Sequence, residues 1–214
     1  LPDTGSARRP AGATTAEPNP KATGDATGFF ALNTLVLSLA LNFGVPTPNW
    51  RFRTQFGPEF FFDLSSPYSY LAHTRLDGIA ARTGATLVVK PMVLSAVFKA
   101  SGNARPGEIG AKALYMAKDL PVWARDYGVP FVWCGAFPFN AIKPERMILA
   151  AADAAPGGDW TLTKAFFTAF WGHDRDPLDP ATLVAIATEA GFDGAALLAR
   201  TDDPAIKDRL KANT

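Results

Sequence analysis

The sequence predicts an α/β fold in which a strand–helix–strand unit leads into a long helical lobe. Three observations carry that prediction. A short apolar run, Glu59-Phe60-Phe61-Phe62-Asp63, is followed almost at once by a segment in which Leu71, Ala72, Leu76, Ile79 and Ala80 recur at helical spacing. Gly84 stops that helix and Thr86-Leu87-Val88-Val89-Lys90 supplies a second strand, so the two strands are expected to pair in parallel through a right-handed crossover. Residues 96–214 then turn mostly helical, in segments separated by Gly, Pro and Asp.

Taken in order, residues 1–58 are expected to be a leader, disordered or non-native. Residues 1–28 are rich in Pro, Gly, Ala and Thr and show no apolar periodicity. Residues 29–45 form the one long apolar run. That run lies far from Arg8, Arg9 and Lys21, contains Asn33 and Asn42, and is short for a membrane span. A buried strand or helix, or a non-native extension, is therefore preferred over an export signal or membrane anchor. Leu1-Pro2-Asp3-Thr4-Gly5 matches a wall-sorting pentapeptide, but such a signal belongs at a C-terminus and more than 150 residues follow it here, so the match reads as coincidence. The orderly pattern begins at Glu59 with strand 59–63, helix 68–83 and strand 86–90, and no internal repeat is evident. Helices are expected over 108–127, 144–155, 159–171, 180–190, 193–200 and 203–213.

Composition narrows the function classes. Hydrophobic residues make up 48% of the 214 and charged residues 19%, as in a globular protein on the apolar side of average. A formal net charge of +1 gives no electrostatic ground for nucleic-acid binding. The single cysteine, Cys134, excludes an internal disulfide and fits a reducing compartment.

The most informative stretch is Ser66-Pro67-Tyr68-Ser69, between the first strand and its helix. Pro67 suits the first helical position because it needs no N–H there. A serine hydroxyl at a helix N-terminus caps the helix and can also donate to an anion that the free N–H groups and the helix dipole favour. From the tetrapeptide alone, an ordinary N-cap is the preferred reading of Ser66.

Phe62-Asp63-Leu64-Ser65-Ser66-Pro67-Tyr68-Ser69-Tyr70-Leu71-Ala72 resembles the signature of the 2-hydroxychromene-2-carboxylate isomerases, relatives of DsbA and of kappa-class glutathione transferases. The resemblance continues in order through Phe98-Lys99-Ala100-Ser101-Gly102-Asn103, Tyr115-Met116-Ala117-Lys118-Asp119-Leu120 and Trp123-Ala124-Arg125-Asp126-Tyr127-Gly128-Val129-Pro130. It ends with Phe137-Pro138-Phe139-Asn140, Phe170-Trp171 and Lys211-Ala212-Asn213-Thr214, covering about residues 59–214.

The resemblance implies a thioredoxin-like, DsbA-like βαβ fold with a large inserted all-helical domain. The domains would be 59–95 for the βαβ start, 96–200 for the insertion and 201–214 for a helix leading back. In thioredoxin-like proteins the turn at Ser66 carries a Cys-x-x-Cys pair; here serines stand in both places. The family pattern continues past Lys-Ala-Asn-Thr with a Val-Pro-Thr loop and further strands, so the final strands are expected to be missing and the sheet to show an open edge or to borrow residues 34–41. Gly44-Val45-Pro46-Thr47 lies upstream, but no recognisable strands follow it in 48–58 and circular permutation is disfavoured.

The activity implied is glutathione-dependent isomerisation of 2-hydroxychromene-2-carboxylate type in aromatic catabolism. The glutathione thiolate would add reversibly to a small aromatic carboxylate, the ring would open, rotation would follow and the thiol would leave. The resemblance gives Ser66 the catalytic role, names Ser66, Pro67 and Asn103 for the cofactor glutathione, and implies a cytoplasmic enzyme for which a homodimer is the expected assembly. A kappa-like glutathione transferase is the alternative, and a truncated, non-catalytic thioredoxin-fold module is the alternative of another class.

Other residues are expected to be structural. Lys90, Lys99, Arg105 and Lys118 read as solvated surface, and Tyr115, Trp123 and Asp119 as a buried helix face. His73 falls near the apolar side of the first helix and His173 in a polar loop; Asp174, Asp176 and Asp179 lack the spacing of a calcium loop, so no metal is expected. Cys134 reads as a half-buried small residue.

Overall fold

A computed structural model of the chain describes residues 57–214. The expectations for the leader, the apolar run at 29–45, the borrowed strand at 34–41 and the segment Gly44–Thr47 lie outside the described residues.

Strand β1 is Glu59–Phe62, and its alternating pattern buries Phe60 and Phe62. Helix α1, Pro67–Thr83, begins with Pro67 at its first position and ends at Gly84, whose φ of 67° is the left-handed conformation that a residue without Cβ adopts freely. Strand β2, Val88–Pro91, lies parallel to β1 with Phe60 opposite Val89 and Phe62 opposite Pro91. Pro91 is tolerated because it is the last residue of the strand. Among the described residues the sheet has these two strands.

Helix α2, Leu94–Ser101, has no counterpart in the sequence reading. A 3₁₀ turn, Pro106–Glu108, leads into α3, Gly110–Tyr127. The remainder is α4 (Ile142–Ala154), α5 (Gly158–Phe167), a π turn (Thr168–Gly172), α6 (Pro180–Glu189), α7 (Gly194–Ala199), a 3₁₀ turn (Arg200–Asp202) and α8 (Pro204–Asn213). Asp179, Asp193 and Asp203 each accept backbone N–H groups at the start of α6, α7 and α8, so the Asp punctuation seen in the sequence is helix capping. At Gly158 a Cβ would stand 2.2 Å from the Ala151 carbonyl oxygen, and its absence lets α5 pack directly on α4.

One core serves β1, α1 and the helices beyond. Phe62, Leu64, Tyr70, Phe166, Phe167, Phe170 and Trp171 are all fully or nearly fully buried in it. His73 joins them, stacked on Phe167 at 4.7 Å between ring centroids. The last helix closes the unit from the far end of the chain: Thr214 Oγ1 accepts from Val93 N–H at 3.0 Å, and Asn213 Nδ2 donates to the Pro91 carbonyl at 3.1 Å. No helix among the described residues is long and apolar enough to cross a membrane.

Candidate active site

The turn between β1 and α1 is closed by Ser66 N–H donating to the Asp63 carbonyl at 2.9 Å. Ser66 then stands at the N-cap with φ −94° and ψ 112°, and its Oγ accepts from Ser69 N–H at 3.2 Å. The residue is half-buried. A hydroxyl carries one hydrogen besides its acceptor lone pairs, and here that hydrogen has no acceptor among the described residues. Tyr68 N–H, in the same first turn, likewise has no partner among them. The geometry therefore presents two donors at the positive end of a helix of 17 residues, which is the chemistry of an anion site.

Residues distant in sequence hold that turn in place. Both backbone groups of Leu64 are bound by buried side chains: its N–H donates to Glu145 Oε1 at 3.2 Å, and Trp171 Nε1–H donates to its carbonyl at 2.8 Å. Asp63 Oδ1 accepts the N–H and the hydroxyl of Ser65, both at 2.7 Å, and Oδ2 accepts Leu94 N–H at 2.8 Å. Glu145 is completely buried and its Oε2 has no hydrogen-bond partner among the described residues. Burial holds its carboxyl well above the usual carboxylate range, and the neighbouring Asp63 charge pushes the same way. The sequence reading missed Glu145 and Trp171 as site residues. A charged residue on the apolar side of a helix, three and four places before Ile148 and Leu149, was the available signal for Glu145.

On the solvent side, Tyr68 O–H donates to Asp119 Oδ2 at 3.1 Å and Trp123 Nε1–H donates to Asp119 Oδ1 at 3.0 Å. Burial, and then Asp119, raise the Tyr68 phenol far above its ordinary range. Tyr115 and Trp123 were expected in the core, and the structure corrects this: they are 56% and 41% exposed. The buried stripe of α3 is Met116, Leu120 and Ala124, one residue along. The same helical period fits both stripes, and periodicity fixes spacing without fixing phase.

Asn103 lies just past Gly102, the C-cap of α2, and is exposed, with its N–H donating to the Phe98 carbonyl at 3.1 Å. Leu94, bound to Asp63, is at the opposite end of that helix, about 12 Å away at 1.5 Å per residue. No hydrogen bond joins Asn103 to Ser66. Among the basic candidates, Lys99 and Lys118 are exposed, Lys90 pairs with Glu59 at 3.5 Å and Arg105 with Glu108 at 3.9 Å. His73 is buried, and burial pushes its imidazole down to about 4. Among the described residues no group of three His, Cys, Asp or Glu side chains could hold a metal ion.

With the geometry in place, comparison with known proteins decides the family. The sequence pattern of the DSBA-like thioredoxin domain matches residues 59–214. The chain belongs to the DSBA-like thioredoxin family. It is 32% identical over 149 residues to a 2-hydroxychromene-2-carboxylate isomerase of Sphingobium xenophagum, covering 69% of this chain and 74% of that one. It is 26% identical over 164 residues to glutathione S-transferase kappa 1 of Homo sapiens, covering 73% of each. The structure is similar to a solved 2-hydroxychromene-2-carboxylate isomerase with a TM-score of 0.66 at 26% identity, over 73% of this chain and 76% of that one. Its relatives are thus isomerases and transferases by name. Cys134, the single thiol of this DSBA-like chain, is buried at 4% exposure rather than half-buried, and burial pushes it up from the ordinary thiol range. The helix start itself carries hydroxyls and no thiol.

Proposed function

We propose that the chain is a glutathione-dependent isomerase of the 2-hydroxychromene-2-carboxylate type, acting on a small aromatic carboxylate in aromatic-compound breakdown. The observation that carries this reading is Ser66, which caps α1 as an acceptor while its own hydrogen has no acceptor among the described residues. Identity of 32% to an isomerase of that name supports it. When bound, glutathione supplies the nucleophilic thiolate that the chain lacks at this turn.

An ordinary thiol has a pKa of about 8.5 and is mostly protonated at neutral pH. The Ser66 hydroxyl, the Tyr68 N–H and the dipole of α1 all favour the anion over the thiol. Pro67 fixes the first turn without adding a donor that needs satisfying. Asp63, Glu145 and Trp171 keep the two donors from drifting. Asn103 is assigned to the glutathione or substrate side on the resemblance of its Gly-Asn segment alone. In this reading residues 59–95 are the βαβ start, 96–200 the inserted helical domain and 201–214 the return to the thioredoxin-like half, and the enzyme works in the cytoplasm as a homodimer.

Incubation with glutathione and a 2-hydroxychromene-2-carboxylate tests the reading. The expected result is isomerisation that requires glutathione and leaves total free thiol unchanged. Consumption of thiol by a conjugate would establish instead a kappa-like transferase, the second reading, which 26% identity over 164 residues to the human kappa enzyme favours. Calorimetric titration that finds no binding at millimolar glutathione would reduce the chain to a non-catalytic thioredoxin-fold module.

A further inference from the structure

Glu145 is the least expected residue beneath the site. It is completely buried on α4, one carboxyl oxygen accepts Leu64 N–H, and the other has no hydrogen-bond partner among the described residues. Leu64 is followed directly by Ser65 and Ser66. Asp63, which grips Ser65 and Leu94, is the charged group that acts on Glu145. Among the described residues no ion pair reaches Glu145: on α4 and the elements packed against it, Arg146 donates to the Thr201 carbonyl, Lys90 pairs with Glu59, Lys164 with Asp77, Arg200 and Arg209 with Asp153 and Lys207 with Asp202, while Lys143 and Lys211 are exposed. A buried carboxyl with no cation beside it is kept neutral rather than ionised. Ionised, it would set a second negative charge beside Asp63.

We propose that Glu145 is a positioning residue for the serine turn: as a neutral, buried carboxyl it accepts from Leu64 N–H through Oε1, and ionising it beside Asp63 loosens the segment carrying Ser66. On deprotonation the proton passes to solvent and two carboxylates face each other under the turn. Asp63 then turns from Glu145, and its bonds to Ser65 N–H, Ser65 hydroxyl and Leu94 N–H are the ones that give. A second negative charge also opposes an anion held at the start of α1. The glutathione part of this inference rests on the function proposed above; the effect on the turn does not.

Nuclear magnetic resonance titration of the whole chain without ligand tests the effect on the turn. The Glu145 side-chain carboxyl carbon is expected to titrate well above the ordinary carboxylate range, and the amide resonances of Leu64, Ser65 and Ser66 to shift with the same midpoint. Glu145→Gln keeps an acceptor for Leu64 N–H and cannot ionise, and in it that shared step should vanish. An ordinary Glu145 midpoint, or three amides that stay still while the carboxyl titrates, overturns the proposal even if the variant does not fold. With glutathione as probe, affinity of the parent protein should fall on the order of tenfold across the same midpoint, relative to a flat Glu145→Gln profile. Identical profiles overturn the coupling to the anion. Failure of both proteins to bind glutathione, with the amide step present, overturns the isomerase reading and leaves the role of Glu145 standing.

Discussion

Ser66 at the start of α1 and Asn103 just past the end of α2 are the polar residues that the family resemblance singles out, and the fold treats them in opposite ways. Ser66 sits on a turn whose backbone groups are claimed by Asp63, Glu145 and Trp171, all buried. Asn103 is exposed at the end of a helix that buries none of its residues. A donor that must stay within tenths of an ångström of an anion needs the first kind of support. A residue that meets a ligand only after it has arrived can do with the second. The difference teaches that two residues singled out by one family resemblance can be held with unequal rigidity.

The largest effect should come from the support farthest away in sequence. Trp171 is fully buried, and Trp171→Ala is expected to destabilise the fold by about 3–5 kcal/mol through the lost volume. Trp171→Phe keeps most of the volume and isolates the bond to the Leu64 carbonyl, for a loss of about 1–3 kcal/mol. Urea unfolding of the two variants checks both figures. If Trp171→Phe matched the parent protein, the turn would not depend on this anchor and the contrast with Asn103 would weaken.

Next in size is a pH effect under α1. His73 is buried against Phe167, and burial lowers it from an ordinary 6.5 to about 4. A group depressed on folding lends stability that is present above its unfolded pKa and lost as pH falls through the folded one. The window is therefore pH 6.5 to 4, and the loss is on the order of 3 kcal/mol. Glu145 acts in the opposite sense, because its folded value is raised: it penalises the fold progressively as pH rises above the unfolded carboxyl value. Denaturation midpoints of the parent protein and His73→Phe across that window separate the two, since the variant should lose the acid-side slope only. An unchanged slope would mean that His73 takes its proton without opening the core.

What was legible in the sequence follows the same division between local and distant causes. Pro67 and Gly84 mark both ends of α1, and the parallel pairing of β1 with β2 follows from the short crossover between them. The second strand was read two residues early, at Thr86, because Thr86 and Leu87 share the β-branched or apolar character of the strand proper. Helix α2 was missed for a physical reason: it has eight residues, no side-chain cap at Val93 and no fully buried stripe. The anchors of the turn were beyond reach altogether. Glu145 meets Leu64 across 81 residues, Trp171 meets it across 107, and Thr214 meets Val93 across 121. No local pattern announces contacts of that span. Ser66 was legible as a cap, which the structure shows; a role beyond capping is what the ordered motifs around it imply.

A smaller effect is expected at Ser66 itself. Ser66→Ala loses the bond from Ser69 N–H, a loss of about 1 kcal/mol, with α1 otherwise intact because Pro67 still fixes the first turn. The functional signature on the proposed reading is larger than the structural one: the pH–rate profile with glutathione should move to higher pH, since the bound thiol loses a donor that favours its anion. Thermal unfolding and the pH profile measured on the same variant keep the two apart. A profile that does not move would leave Ser66 as a cap and nothing more.

The smallest expected change in stability, and the sharpest test of the contrast, is Asn103→Ala. The side chain is exposed and follows a helix that Gly102 already terminates in the left-handed conformation, so stability should stay within about 0.5 kcal/mol of the parent. If Asn103 touches the bound cofactor or substrate, KM for one of them should rise while the pH profile stays in place, because an exposed amide far from the turn has no route to the thiol's ionisation. A shift of the profile comparable with that of Ser66→Ala would bring Asn103 to the sulfur and abolish the distinction between a fastened donor and a mobile one. No change in either quantity would remove Asn103 from the site and leave the turn at Ser66 to hold the anion alone.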